Sequence, residues 1–232
     1  MTDFAYSGNE LEDFREAKRW KRYFSSRINT AIGKQEFLLE VGAGLGANAE
    51  FLAKNADYYL GVEPDSKQVE SAKELYPDQN FKVGFLDDFV RPPNTRLCLV
   101  YIDVFEHIYD DLAEMKKIEN ILNPGETLVL LVPAHRRLFS SFDLAVGHFR
   151  RYERADFWEL SGAAFKVKKL EELDCLGFFL SLLSQKLRPN KLPSRGNIRL
   201  WDRLIPISRK LDFVTKRRLG KSILCIMERK DV

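Results

Sequence analysis

The stretch "EFLLEVGAGLGA" at residues 36–47 decides the fold. Its first half is a mostly apolar run that predicts a short buried strand, and Gly42, Gly44 and Gly46 follow at once. Glycine allows a sharp backbone turn and a close approach to a ligand, and the helix predicted next offers the N–H groups of its first turn. A strand, a glycine loop and a helix in this order predict a ligand site at the end of a buried strand.

Apolar strands and helices alternate along most of the chain. Such alternation indicates a parallel sheet that helices cover on both faces. A Ser-x-x-Glu box at residues 7–10, followed by helically spaced apolar residues, predicts an N-terminal amphipathic helix with a break near Tyr23. Further strands are predicted at residues 58–63, 80–86, 96–103, 127–133, 165–174 and 222–229. We therefore predict an α/β fold with a doubly wound sheet of seven strands.

The length of 232 residues and the ordinary globular composition predict one domain over residues 1–232. We expect it to comprise an N-terminal helical cover (1–33), a ligand-binding core (34–175), a basic amphipathic insertion between strands six and seven (176–220), and the last strand with its tail (221–232).

The remaining composition predicts a cytoplasmic protein with no metal site. No signal-peptide pattern opens the sequence, and no apolar window reaches the length of a membrane span. Cys98, Cys175 and Cys225 are scattered, as expected of reduced core residues. The spacing of His135, His148 and Asp143 matches no closed metal site.

Charge is unevenly distributed. Residues 186–221 contain twelve Lys and Arg against Asp202 and Asp212, so this segment carries +10 and the rest −7 of the net +3. Such a basic amphipathic segment is suited to covering an acceptor pocket, to contacting an anionic membrane surface peripherally, or to forming an oligomer contact. It lacks the interleaved aromatic residues of single-strand binders, so no nucleic acid is expected. The oligomeric state is left open.

The glycine loop by itself leaves two cofactors open. Ala47 also completes the G-x-G-x-x-G/A pattern of nicotinamide dinucleotide sites. Glu40, two residues before the first glycine, would face the ligand or the loop. Its carboxylate would repel a pyrophosphate and would suit a ligand with an ammonium and a sulfonium group. The sequence therefore favours S-adenosylmethionine.

Four stretches in order, "EVGAGLG", "GVEPD", "YIDVFEHI" and "LNPGETLVLLVPA", resemble the motifs of class I S-adenosylmethionine-dependent methyltransferases over about residues 36–175. The resemblance implies a Rossmann-like sheet that is mostly parallel, with the last strand antiparallel. It implies that Glu40 orients the glycine loop, that Glu63 binds the ribose, and that Ile102 and Asp103 line the methionine end. The cofactor-binding residues predicted in this way are Glu40, Gly42, Ala43, Gly44, Gly46, Glu63, Pro64, Phe85, Leu86, Asp87, Ile102 and Asp103.

One position departs from the family pattern. Relatives often carry an acid where this sequence has Phe85, after the glycine that ends strand three. We expect Phe85 to stack on the adenine, the backbone of Leu86 to contact it, or Asp87 or Asp88 to replace the acid. In "EHI" at 106–108, Glu106 is expected to cap the segment, and His107 either faces the methyl group or packs.

The stretch "VPAHRRLFSSFDLAVGHFRRYERADF" at residues 132–157 resembles a subgroup with a Val-Pro-Ala loop, an Asp and a GH-x-RRY motif. This loop would follow strand five at the carboxyl edge of the sheet, where ligands bind. His148 is expected to act as a proton acceptor there. The predicted catalytic residues are His148, His107 and Tyr152, and the predicted substrate-binding residues are Asp143, Arg150, Arg151 and Tyr23. Alternatively, Asp143 pairs with an arginine and only fixes the loop.

The predicted function is methyl transfer from S-adenosylmethionine to an oxygen or nitrogen of a small-molecule or sugar- or lipid-linked acceptor. A non-catalytic module that binds the cofactor or regulates a partner is the second reading. A nicotinamide-dependent oxidoreductase is the third.

Overall fold

The computed structural model describes residues 15–187 and 194–231. The predicted box at residues 7–10 lies outside the described residues. A seven-stranded sheet runs in the order β3-β2-β1-β4-β5-β7-β6, and only β7 is antiparallel to its neighbours. Its strands are β1 (Gln35–Val41), β2 (Ala56–Glu63), β3 (Asn80–Val83), β4 (Leu97–Ile102), β5 (Thr127–Pro133), β6 (Phe165–Leu173) and β7 (Ser222–Arg229). The predicted fold class is confirmed.

Helices cover both faces of this sheet. They are α1 (Lys18–Ile32), α2 (Ala49–Leu52), α3 (Ser66–Leu75), α4 (Asp111–Ile121), α5 (Ser141–Ala145), α6 (Asp156–Ser161), α7 (Cys175–Leu187) and α8 (Arg195–Val214). Short 3₁₀ turns lie at Ala53–Asn55, Leu86–Asp88, Phe105–His107 and Arg136–Leu138. Within the described ranges, no helix has the length and apolar character needed to cross a membrane.

Two elements differ most from the prediction. Helix α1 continues without a break through Tyr23, because Trp20, Phe24 and Ile28 share its buried face. Strand β3 ends at Val83 because Gly84, with φ +152°, starts the turn that leads to the next 3₁₀ segment.

The core forms two layers because successive strand residues point to opposite faces. Leu39 of β1 packs on the side of α4 and α6, whereas its neighbour Leu38 packs on the side of α1, α2, α3 and α8. A fully buried leucine contributes about 2 kcal/mol to the free energy of unfolding. The N-terminal helix and the second helix of the basic segment therefore belong to the main core.

A buried carboxylate joins these outer helices to the sheet. Asp212 of α8 accepts hydrogen bonds from the backbone N–H groups of Asp174 (2.8 Å) and Cys175 (2.7 Å), and from the Tyr23 hydroxyl (2.8 Å). Tyr23 is itself buried. A structural role thus replaces the substrate contact that the sequence predicted for Tyr23.

We expect Asp212→Ala to lower the free energy of unfolding by about 3 kcal/mol, because two buried N–H groups lose their acceptor at about 1–3 kcal/mol each. Tyr23→Phe removes a single hydrogen bond and should cost about 1 kcal/mol. Urea denaturation followed by circular dichroism measures both variants. An Asp212→Ala protein as stable as the wild type would contradict this role.

Candidate active site

A cavity of about 240 Å³ lies at the carboxyl edge of the sheet. Four parts of the chain form its walls: the glycine loop, the turn after β4, the loop after β5, and residues of α1, α8 and the start of β7. Residues on these walls include Gly42, Ala43, Gly44, Ile102, Asp103, Glu106, His107, His148, Arg151, Trp20, Lys21, Phe24, Trp201 and Lys221. This edge is where open α/β sheets bind their ligands.

The glycines of the loop have different roles. A Cβ at Gly42, which has φ +74°, would lie 2.5 Å from Cγ2 of Val104, so packing requires this glycine. A Cβ at Gly46 would lie 2.6 Å from the Phe81 ring. At Gly44, with φ +54°, a Cβ would meet only the side-chain oxygen of Gln68, at 3.4 Å. The backbone at Gly44 is therefore the part of the loop that a ligand can approach.

Glu40 lies beneath this loop. It is fully buried and accepts hydrogen bonds from the Asn48 amide (2.7 Å) and the Tyr59 hydroxyl (2.5 Å). Burial raises the pKa of Glu40 to about 7, against the effect of these bonds and of Lys21. The sequence allowed Glu40 to face either the ligand or the loop, and in the structure its carboxylate faces the loop. Asn48, which bonds to it, lies just after the last glycine of that loop.

Glu63 ends β2 beside the same loop. Its carboxylate accepts hydrogen bonds from the backbone N–H of Gly44 (3.0 Å) and of Asp65 (3.1 Å), and burial raises its pKa. Pro64 follows directly in the chain. Glu63 is therefore placed at the glycine loop, as expected of a ribose-binding acid.

The end of β3 differs from expectation. Leu86 is buried, and Asp87 forms an ion pair with Lys117 of α4 at 2.8 Å, away from the cavity. The Phe85 ring is 53% exposed, and its backbone N–H donates to Asp88 (2.9 Å). Phe85 and Asp88 line a separate groove. Of the proposed adenine contacts, Asp87 is already paired with Lys117, whereas Phe85, the backbone of Leu86 and Asp88 stay predictions.

The loop after β5 is organised around Asp143. This buried carboxylate accepts hydrogen bonds from Arg151 Nε (2.7 Å), from the Ser140 hydroxyl (2.9 Å) and from His148 Nδ1 (2.9 Å). Burial opposes ionisation, yet the bonds from His148 and Arg151 hold the pKa of Asp143 well below its usual range. Asp143 therefore positions His148 and Arg151, which is the arginine pairing that the sequence analysis gave as the alternative, and its substrate contact stays a prediction.

His148 meets two further polar side chains at the cavity. Its Nε2 lies 3.7 Å from Oε1 of Glu106, and its ring packs edge-on to that of His107, with centroids 4.6 Å apart. Burial raises the pKa of Glu106 well above its usual range and lowers the pKa of His107 to about 4. The predicted His107 and His148 are thus brought together.

Two other predicted residues are used elsewhere. The Tyr152 hydroxyl donates to Asp111 (2.8 Å), and the Arg150 guanidinium also pairs with Asp111 (2.8 Å). Arg150 bonds to the backbone oxygen of Tyr109 as well. Neither side chain lies on the cavity wall, so the observed contacts of Arg150 and Tyr152 are structural, and their predicted substrate-binding and catalytic roles find no support in this geometry.

Sequence reasoning missed two of the cations on the cavity wall, Lys21 and Lys221. The Asp103 side chain is open to the cavity, but the protein around it excludes bulk water and so raises its pKa. The nearby basic groups of His148, Lys21 and Lys221 act in the opposite direction and lower it. Burial lowers the pKa of Lys21 to about 8 and also lowers that of Lys221, while Asp103 opposes both shifts. These lysines are far from the motifs in sequence, and only the folded chain brings them to Asp103.

Comparison with known proteins identifies the family. A family model described as a methyltransferase domain matches residues 12–168. The chain belongs to this family. It is 26% identical over 145 residues to a probable S-adenosylmethionine-dependent methyltransferase of Mycolicibacterium smegmatis, a match that covers 61% of the chain. The chain spans about half (54%) of that curated relative.

Two solved structures share the fold. The N-methyltransferase NodS of Bradyrhizobium japonicum WM9, in complex with S-adenosyl-L-homocysteine, has a TM-score of 0.59 and 11% identity, covering 98% of this chain and 95% of its own. The cyclopropane synthase MmaA2 of Mycobacterium tuberculosis has a TM-score of 0.54 and 13% identity, covering 88% and 82%.

The family confirms the predicted class, an S-adenosylmethionine-dependent methyltransferase domain. The chemistry of the residues present fits this cofactor, because the Gly44 backbone is open to a ligand, the Glu63 carboxylate lies beside it, and Asp103 offers a second carboxylate on the cavity wall. No finding supports the oxidoreductase reading. The narrower subgroup suggested by the GH-x-RRY stretch stays a prediction.

A matched glycine pair tests the loop. Gly44 and Gly33 both have positive φ, +54° and +66°, but Gly33 ends α1 and has no atom within 4 Å of an added Cβ. Each Gly→Ala change should lower the free energy of unfolding by about 1–2 kcal/mol. Only Gly44→Ala should weaken S-adenosylhomocysteine binding, by about tenfold or more. Thermal shift titrations measure both, and equal binding by the two variants would contradict this assignment.

Proposed function

We propose that the protein methylates an oxygen or nitrogen atom of a small-molecule or sugar- or lipid-linked acceptor. The observation that carries the proposal is one cavity whose walls include Gly44, Asp103 and His148, with the buried Asp143 bonded to His148. A cofactor site and a polar acceptor site therefore share a single space.

The cofactor side of the cavity suits a zwitterionic tail. Asp103 would bind the ammonium group and Lys21 the carboxylate, while Glu63 would bind the ribose and the Gly44 backbone would lie beneath the ligand. S-adenosylmethionine, when bound, supplies a methyl group activated by a sulfonium. The protein's own task is to orient the two reactants and exclude water. Trp20, Phe24 and Trp201 supply apolar cover for that purpose.

The acceptor side depends on His148. Because Nδ1 bonds to the ionised Asp143, it carries the proton, and the lone pair on Nε2 points toward Glu106 and the cavity. Nε2 is thus placed to hold or deprotonate an acceptor hydroxyl or amine. The fold alone does not select the acceptor atom, because the neighbours with this fold include an N-methyltransferase and a cyclopropane synthase.

The outer helices favour a lipid-linked acceptor at an anionic membrane surface. Exposed apolar side chains lie at helical spacing on both: Phe179, Leu180, Leu183 and Leu187 on α7, and Leu200, Ile207, Leu211 and Val214 on α8. Cations, among them Arg199, Arg203 and Lys210, are exposed on the same α8 helix. An apolar stripe next to cations is typical of helices that lie on anionic lipid.

Methyl-labelled S-adenosylmethionine tests two things together: whether the protein methylates an acceptor, and whether that acceptor is in the membrane. The protein is incubated with membrane and with soluble fractions of the source cells, and the products are extracted into organic solvent. We expect label in a product of the membrane fraction. Label in the soluble fraction alone would contradict the lipid-linked acceptor, and no label in either would favour the non-catalytic module.

A matched pair of variants tests the surface. The double change Leu183→Asp and Ile207→Asp places carboxylates on both stripes and should reduce labelling by about tenfold or more, since each costs on the order of 1 kcal/mol near anionic lipid. Trp158→Asp is the control, because Trp158 of α6 is an equally exposed apolar residue at 62%. Equal loss in both proteins would contradict membrane docking through α7 and α8.

A further inference from the structure

One buried acid at the cavity has no hydrogen-bond partner among the described residues, and the His148 Nε2 atom lies 3.7 Å from it, beyond hydrogen-bond distance. Glu106 is fully buried, and neither of its carboxylate oxygens has a hydrogen-bond partner among the described residues. An unpaired buried carboxylate is costly, so such groups are normally paired, hydrogen-bonded or bound to a metal. Asp143, the buried partner of His148, is stabilised in the usual way, because it accepts hydrogen bonds from Arg151, Ser140 and His148.

The neighbours of Glu106 are two imidazoles. One donor atom each from Glu106, His107 and His148 lies within 4.8 Å of the others. Donor atoms bound to one ion at about 2.0–2.2 Å lie about 3–3.5 Å apart, so closure by about 1 Å would complete a site. The 3₁₀ turn Phe105–His107 supplies two of the three donors and the loop after β5 supplies the third.

The surroundings of both imidazoles are those of metal ligands. Protein-bound metals usually hold a histidine whose other nitrogen bonds to a carboxylate or a backbone carbonyl. His148 gives Nδ1 to Asp143, and the Arg151 guanidinium orients that carboxylate in turn. The His107 ring hydrogen-bonds to the backbone of Gly147, a bond that uses one of its two nitrogens.

From this geometry we propose that Glu106, His107 and His148 bind a divalent first-row transition-metal ion, such as Mn²⁺, Co²⁺ or Zn²⁺. Two imidazoles and one carboxylate suit these ions better than Mg²⁺ or Ca²⁺, which prefer oxygen donors throughout. Three protein ligands leave coordination positions open toward the cavity. If the proposed methyl transfer is correct, the ion holds and polarises the acceptor oxygen, and His148 acts as a ligand instead of as a proton acceptor.

Cobalt(II) is the probe that tests the site directly. Metal-free full-length protein is titrated with Co²⁺ alone, and the visible d–d absorption is followed, with Zn²⁺ as the competitor. We expect one equivalent to bind and Zn²⁺ to displace it. Glu106→Gln and His148→Asn should each weaken binding by about tenfold or more, a loss of 1.4 kcal/mol or more. No absorption with the wild type would overturn the proposal.

The third histidine of the chain provides the control. His135 bonds to Glu172 (3.0 Å) and Glu153 (3.3 Å), outside this cluster. His135→Asn should bind Co²⁺ as the wild type does. Equal binding by wild type and Glu106→Gln would locate the ion elsewhere and overturn the proposal.

A second readout separates this site from the proposed function. S-adenosylhomocysteine should bind equally to metal-free wild type and to Glu106→Gln, because Gly44 and Glu63 are not members of the Glu106, His107 and His148 cluster. Co²⁺ should raise the thermal midpoint of the wild type but not of Glu106→Gln. A cobalt-dependent rise in both proteins would contradict the assigned ligands, whereas loss of S-adenosylhomocysteine binding in metal-free wild type would contradict the separation of the two sites.

Discussion

The cavity exists because strands β1 and β4 lie side by side while the chain leaves them toward opposite faces of the sheet. After β1, helices α2 and α3 pack on one face, and after β4, helix α4 packs on the other. A crevice opens where neighbouring connections diverge in this way. The glycine loop and Asp103 stand on its two sides, so the topology of the sheet decides which residues meet a ligand.

Buried acids around this crevice are stabilised in different ways. Glu40 is held by two neutral hydrogen bonds and steadies the glycine loop. Asp143 is held by an arginine and positions His148. Glu106 has neither kind of partner among the described residues. The chain's own side chains therefore satisfy the hydrogen bonds of Glu40 and Asp143. Glu106 is the acid for which we propose a bound ion.

Local patterns predicted the framework well. Apolar runs marked the central strands, and β5 and β7 were placed at their true limits, because strands of a sheet that is covered on both faces are apolar on both faces. The glycine spacing and Glu63, the acid that ends β2, marked the loop predicted to bind the cofactor. In the structure the two meet, because the backbone N–H of Gly44 donates a hydrogen bond to Glu63. These features depend on residues close together in sequence.

Roles of single polar side chains were harder to predict. Tyr23 meets Asp212, which is 189 positions away, and Tyr152 meets Asp111 across 41 positions, so neither role is visible locally. The places of Lys21 and Lys221 at the cavity could not be predicted either, because both residues are far in sequence from Asp103 and belong to no motif. In the GH-x-RRY stretch, His148 faces the cavity while its neighbours Arg150 and Tyr152 turn away, a difference that only packing decides.

Calorimetric titration of the purified full-length protein with S-adenosylhomocysteine and, separately, with NAD tests the central claim most directly. We expect saturable binding of one S-adenosylhomocysteine per chain and no heat of binding with NAD, because Glu40 beneath the glycine loop and Asp103 on the cavity wall favour an ammonium group and disfavour a pyrophosphate. Binding of NAD without S-adenosylhomocysteine would contradict the assignment of this cavity.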